Sequence, residues 1–312
     1  TGSSGFLGRA VCSALVKQGV QVIASTRRPL EITSGNLKEL FIENLSDLWE
    51  NHSALLHEVD CVIHCAGRAH RLKDDSTDPL KDFREVNCTS TLKLAEAAAA
   101  LKVKQFVYIS SIGVNGSSSY EKAFTANDTP NPDTPYTQSK WEAEQGLNAL
   151  NKRSDMHVYI IRPPMIYGPS APGNFGLLVK LLNKGFPVPL GAMHKPRSFV
   201  SLQNIVGLLC HLVTSQADKI KPGTYLVSDG DVISTTEFIK YLSEAMGTNN
   251  VLVPVPVSLL LAMASLVGKA NQVKKLSVPL ALDIQATLED LHWIPKVSTK
   301  EALREIFDSS AT

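Results

Sequence analysis

No apolar run in the 312 residues reaches the ~20 residues that a membrane-spanning helix needs. The longest, VSLLLAMASLVG at 257–268, is expected to form a buried or amphipathic helix, with a membrane-surface role as the lesser alternative. An excess of charge is lacking too. The 31 Lys and Arg against 30 Asp and Glu leave +1, so nothing draws the chain to a nucleic-acid polymer. Cysteine is scarce: Cys12, Cys61, Cys65, Cys88 and Cys210 make an odd set without Cys-x-x-Cys, which reads as the reduced thiols of a cytoplasmic protein. The eight histidines contain no His-x-x-x-His pair, so no metal site is expected. One structural absence stands at the start. The chain opens at Thr1 inside a glycine motif, without the strand that should precede it. An open slot inside a sheet is costly, so residues ahead of Thr1 are expected.

What is present is ordinary globular material, 44% hydrophobic and 20% charged, in a length that suits one large α/β domain or a domain with a smaller lobe. TGSSGFLGRAVCSALVKQG is a glycine turn running into a helix that stops at Gly19. VQVIAST and LFIENL are expected strands, Ser46 to Glu58 a helix, DCVIHCAG a buried strand, and Asp82 to Leu101 a long helix. KQFVYISSI is a further buried strand. Residues 113–135 form a long Gly, Ser and Pro loop, a length usually functional or disordered. Tyr136 to Asn151 is a helix and VYIIRP a strand. The strands are continuous apolar runs rather than alternating ones, as when both faces are covered. The pattern predicts a Rossmann-type, doubly wound parallel sheet over 1–163 and a smaller C-terminal substrate lobe over 164–312, with parts of 197–230 returning to the first domain.

The glycines of TGSSGFLG, Gly2, Gly5 and Gly8, let backbone approach a pyrophosphate, which then sits on the N–H groups that open the helix, at Phe6 and Leu7. An NAD binder usually ends the next strand on Asp or Glu for the ribose 2′-hydroxyl. This chain has Ser25, Thr26, Arg27 and Arg28 instead, and the two guanidinium groups favour a 2′-phosphate, hence NADP over NAD. Two solvated loop arginines are the plainer reading. Ser110 and Ser111 end a strand beside the expected cleft. Tyr136 follows, and Lys140 lies one helical turn beyond it on the same face. An ammonium near a phenol favours phenolate and tunes it for proton transfer.

TGSSGFLG, HCAG, Val86-Asn87, Ser110-Ser111, YTQSK and RPPMIYGP, in that order, resemble the extended short-chain dehydrogenase/reductase family. They are most similar to its nucleotide-sugar enzymes of the UDP-glucose 4-epimerase type and the related 4-keto-sugar reductases. The resemblance runs through RSFVSLQNIV and TYLVSDG and so covers nearly the whole chain. It implies Tyr136 as the acid/base at the sugar 4-oxygen, Lys140 on the nicotinamide ribose, and Ser111 as a hydrogen-bond partner of the 4-oxygen. It implies that Asn87 holds the cofactor side, with Ser110 beside it, and that Ala66 and Gly67 line the adenine–ribose path. Asn44, followed by Leu45, stands where the family often has an adenine-contacting aspartate, a departure at the adenine end. Asn174 and Arg197 match positions that hold the nucleotide diphosphate, with Lys195 and Lys275 as further contacts or plain surface lysines. The 4,6-dehydratases carry Thr-Asp-Glu where this chain has Ser111, Ile112 and Gly113, which argues against dehydration, and the shorter reductases of small carbonyls lack the second lobe.

The expected activity is therefore NAD(P)-dependent oxidoreduction at C4 of a UDP-hexose, as an epimerase. An NADPH-dependent reductase of a UDP-4-keto-6-deoxy-(N-acetyl)hexose is the alternative, and a non-catalytic dinucleotide-binding scaffold a further one. The family also admits a homodimer. Of the other residues, Cys61, Ile63, Cys65 and His64 read as packed strand positions, Trp141 as packing and Tyr167 as a structural turn residue. Arg68, His70 and Arg71 face the cleft or solvent.

Overall fold

The computed structural model describes residues 1–68, 77–215, 219–248, 250–266, 268 and 270–308. Helix α1 (Phe6–Lys17) leads into strand β1 (Val22–Thr26), which pairs in parallel with β2 (Leu37–Phe41). A short α2 (Asp47–Glu50) and a 3₁₀ turn at Ser53–Glu58 precede β3 (Cys61–His64). Next come α3 (Pro79–Arg84), a π turn at Glu85–Thr89 and α4 (Ser90–Ala100), then β4 (Gln105–Ile109), α5 (Pro135–Arg153) and β5 (His157–Arg162). After a small pair, β6 (Ile166–Tyr167) with the later β8 (Val200–Ser201), lie α6 (Asn174–Leu182) and β7 (Pro196–Ser198). Helix α7 (Leu202–Thr214) and β9 (Gly223–Leu226) follow, then β10 (Val232–Ser234) and α8 (Thr235–Ala245). The chain ends through α9 (Val257–Leu266), α10 (Ala270–Ser277), α11 (Gln285–Asp290) and α12 (Thr299–Phe307).

The central sheet has the order β3-β4-β5-β9, parallel throughout. Its strands read as unbroken apolar runs because both faces are packed. Alternate residues split between two cores: Val107, Tyr159 and Ile161 meet α1 and α7, while Phe106, Tyr108, Val158 and Ile160 meet α4 and α5. A third core, around Phe175, Phe199, Phe238 and Leu303, holds α6, α8 and α12 together. The return of β9 to β5 and of α7 to α1 ties residues 202–226 to the sheet. Thr1 to Ser3 bridge β1 and β3 at their C-terminal ends: Thr1 N donates to Ile63 O at 2.6 Å and Ser3 N to Ser25 O at 3.3 Å. Below them a cavity of about 80 Å³ lies between the strands, lined by Ile23, Ser25, Cys61 and Ile63 among others.

Three elements differ from expectation. The second strand is Leu37–Phe41, a half-buried strand earlier than LFIENL, since its register follows pairing to β1 rather than local hydrophobicity. The helix expected over 46–58 breaks, because Asn51 N and His52 N both donate to Asp47 O and close α2 after four residues. The helix expected over 82–101 starts earlier, at Pro79 with Asp78 accepting from Lys81 N, and loosens into the π turn in its middle. The loop at 113–135 is pinned: Ser119 N donates to Pro279 O, Phe124 N to Ala281 O and Asp283 N to Phe124 O.

Candidate active site

The site lies at the C-terminal ends of β3 and β4, where the crevice of a parallel sheet opens. Pro135 at the first position of α5 and a reciprocal cap fix its start. Thr134 Oγ1 accepts from Thr137 N at 3.1 Å, and Thr137 Oγ1 accepts from Thr134 N at 3.0 Å. This anchored first turn carries Tyr136, and the next turn Lys140. Across from it, Ser111 ends β4. Ser111 Oγ accepts from Gly113 N at 3.2 Å, which leaves its own proton for the Tyr136 oxygen. Gly113 makes the approach possible, since a Cβ there would stand 2.5 Å from Thr137 Cγ2. Burial pushes the Tyr136 phenol above its ordinary value, and the Ser111 hydrogen bond pulls it back down. Phe83 packs edge-on against the tyrosine ring at 6.0 Å.

Lys140 is 4% exposed. Its ammonium donates to Ile109 O at 2.9 Å and sits 4.6 Å from the centre of the Tyr108 ring. Burial lowers its pKa to about 8, against the upward pull of Glu144 and Cys65. At neutral pH it therefore remains mostly an ammonium. At Tyr136 itself, the Ser111 hydrogen bond favours the phenolate.

Asn87 is fully buried in the π turn, and its side chain is occupied by protein. Its Oδ1 accepts from Arg68 N at 2.8 Å, and its Nδ2 donates to Arg68 O and Ser139 Oγ, each at 3.1 Å. It thus straps the loop after β3 to α5. Gly67 lies in that loop, and a Cβ on it would stand 3.2 Å from Asn87 Oδ1 and 3.3 Å from Lys140 Nζ. His64, also fully buried, is held between Thr1 and Thr91, and its burial keeps it neutral. Burial raises Cys61 to about 12 and Cys65 to about 11, so both stay protonated, packed strand thiols.

The glycine turn has the shape of an anion cradle. Gly2 has φ 71°, and a Cβ on it would stand 2.6 Å from Ala66 N. A Cβ on Gly8 would meet Gly2 O. Gly5 N donates to Gly2 O at 2.9 Å, and Gly5 caps α1 without a side chain. The first N–H groups of that helix, at Phe6, Leu7 and Gly8, have no intrahelical acceptor, and no acid stands in its first turn. Arg27 and Arg28 are exposed directly beyond β1. Asn44 is exposed, its backbone N–H donating to Asp47 Oδ2 at 3.1 Å, and Leu45 turns partly into the core. These residues form a row along one sheet edge that fits a dinucleotide: cradle, α1 N-terminus, Ala66 and Gly67, then Lys140.

The C-terminal residues are gathered less closely. Asn174, Lys195 and Lys275 are exposed. Arg197 is held: its Nη1 donates to Lys275 O and Val278 O, both at 2.7 Å. Its Nε is buried without a hydrogen-bond partner among the described residues, and burial lowers its pKa to about 10. It is the carbonyl of Lys275, not its ammonium, that meets Arg197. His70 and Arg71 lie outside the described residues.

Sequence reasoning missed the group beneath the site. Glu144, one turn after Lys140, is fully buried and takes a bidentate bond from Arg162, with Nε at 3.0 Å and Nη2 at 2.5 Å. Ser110 Oγ donates to the same carboxylate, and Arg162 Nη1 donates to Asn115 Oδ1 at 2.8 Å. The spacing Lys140 to Glu144 was the available signal. Tyr167 is structural as expected, its hydroxyl donating to Asp229 at 2.6 Å.

The sequence profile of the NAD dependent epimerase/dehydratase family matches residues 1–228. The chain is 36% identical over 308 residues to a Vibrio cholerae protein named UDP-glucose 4-epimerase, covering 98% of this chain and 92% of that one. It is 23% identical over 319 residues to a Kitasatospora kifunensis dTDP-6-deoxy-L-talose 4-dehydrogenase (NAD(P)+), covering 100% and 94%. Its fold superposes with TM-score 0.75 on the crystal structure of UDP-glucuronic acid 4-epimerase from Bacillus cereus in complex with NAD, at 20% identity, covering 98% and 96%.

Proposed function

The chain belongs to the NAD dependent epimerase/dehydratase family, and on that premise we propose that it inverts C4 of a UDP-hexose in the manner of a UDP-glucose 4-epimerase. The observation that carries the reading is the apposition of Ser111 and Tyr136 beside the buried Lys140, at the sheet edge that also holds the glycine cradle. The cradle and the N–H groups of α1 hold the pyrophosphate, Ala66 and Gly67 line the path beyond it, and Lys140 holds the nicotinamide ribose. When bound, the dinucleotide supplies the acceptor and donor of hydride for the sugar C4. Tyr136 takes the proton of the 4-hydroxyl as the carbonyl forms and, after the sugar has turned over and hydride has returned to the opposite face of C4, gives the proton back to the 4-oxygen. Ser111 hydrogen-bonds the same oxygen and keeps it against Tyr136. Arg197, partly exposed, meets the diphosphate with its guanidinium. Dehydration is disfavoured, because a glutamate at position 113 would run into Thr137.

Arg27 and Arg28 favour a second reading, an NADPH-dependent reductase of a UDP-4-keto-6-deoxy-(N-acetyl)hexose. They are exposed at the end of β1, where no acid stands to take the 2′-hydroxyl. The raised phenol of Tyr136 suits proton donation in that direction. A scaffold without catalysis has no need of Ser111, Tyr136 and Lys140 together. Incubating the protein with UDP-glucose and UDP-N-acetylglucosamine, without added cofactor, and following C4 by NMR separates the readings. Inversion supports the epimerase. Inert UDP-hexoses with NADPH consumed on a 4-keto sugar support the reductase, and no turnover of either revives the scaffold.

A further inference from the structure

Apart from two serines every residue of α9 is apolar, yet only Leu260 and Ala264 of it are buried. Leu259, Met263 and Leu266 are 52%, 56% and 87% exposed, and their spacing of four and three residues puts them on one helix face. Two further apolar residues, Phe186 and Val251, are also exposed. Their segments lie side by side, since Val188 N donates to Val251 O and Val253 N to Val188 O, both at 2.9 Å. Helix α10 packs against α9, buries none of its residues and presents Lys274 and Lys275 beside it.

The same segments carry no acid. The chain holds 30 Asp and Glu, but none falls between Asp155 and Asp218, and none between Glu244 and Asp283. An apolar helix face flanked by lysines on an acid-free stretch of chain is what an anionic bilayer attracts: apolar side chains enter the acyl boundary while lysines stay at headgroup phosphates. A second copy of the chain is a poorer occupant. Two-fold pairing of this face would bring lysines against lysines with no carboxylate on either side to neutralise them. We propose that the face formed by α9 and α10 docks on an anionic lipid surface, holding the enzyme at a membrane without crossing it.

The test is co-sedimentation of the full chain with phosphatidylcholine vesicles, with and without phosphatidylglycerol, at low and high salt. Binding is expected only with the anionic lipid and is expected to fall steeply with salt. The double variant Lys274→Glu/Lys275→Glu should weaken it by about tenfold or more. Leu259→Ser/Met263→Ser should abolish it, with circular dichroism and thermal unfolding unchanged. No binding, equal binding to neutral vesicles, or a wild-type dimer that Met263→Glu splits would overturn the proposal. The last result would make the face an interface between copies, and binding only to an acidic protein would overturn it equally.

Discussion

The polar residues around Lys140 and the candidate diphosphate contacts after residue 164 are held in opposite ways. At the sheet edge Lys140, Asn87, Glu144 and Arg162 are all at most 4% exposed, and each is hydrogen-bonded. Of the C-terminal contacts Asn174, Lys195 and Lys275 stand in solvent, and only Arg197 is held. Groups that transfer protons need fixed geometry, which burial and a second layer of hydrogen bonds provide. Groups that attract a flexible diphosphate gain from reach, and long exposed side chains supply it. On the proposed function, the contrast assigns chemistry to the sheet edge and recognition to the C-terminal residues.

Substitutions can break that contrast. The largest effect is expected from Tyr136→Phe, a loss of about 10²–10⁴ in kcat with little change in stability, read by turnover and by urea unfolding. Glu144→Gln removes one partner of a buried ion pair and should cost about 3–5 kcal/mol of stability in the same unfolding assay. It also removes the charge that holds the Lys140 pKa up, so the alkaline limb of activity should move to lower pH.

A third test sets activity against stability. The folded pKa of Lys140, about 8, lies below its ordinary 10.5, so the unfolded chain binds more protons between those values. The penalty of burying the ammonium therefore lessens as pH rises through that window, and this contribution to stability increases. Activity should move the other way, falling above pH about 8 as the ammonium is lost. A pH series of turnover and denaturant midpoints checks both signs. Among the C-terminal residues, Arg197→Met should raise KM about tenfold and leave kcat nearly unchanged, as for loss of one charge-assisted contact. Lys275→Ala should change KM by less than about threefold, because an exposed lysine is worth little. If Lys275 proved the stronger of the two, the division of labour among those residues would be wrong.

Much of this was legible in the sequence. The strands Cys61–His64, Gln105–Ile109 and His157–Arg162 stood out as apolar runs because two cores claim their alternate residues. The glycine turn was legible from its spacing, and Ser111, Tyr136 and Lys140 from the ordered set of motifs that resembles the family, since Ser111 and Tyr136, 25 residues apart, meet only in the fold. What stayed hidden depends on distant partners. The π turn at Asn87 has no local signature, and its side chain finds Arg68 and Ser139 only in the fold. Glu144 and Arg162 read as an ordinary helix acid and strand base until β5 sets one beneath the other. The 113–135 loop looked unstructured because its partners lie at 279–283.

The most direct measurement is C4 inversion of a UDP-hexose by wild type and by Tyr136→Phe, with bound dinucleotide measured in both. The account predicts equal cofactor content and inversion in the wild type alone. Undiminished inversion by Tyr136→Phe would contradict it, because the proton would then be moved by a group other than the one the sheet edge and α5 hold in place.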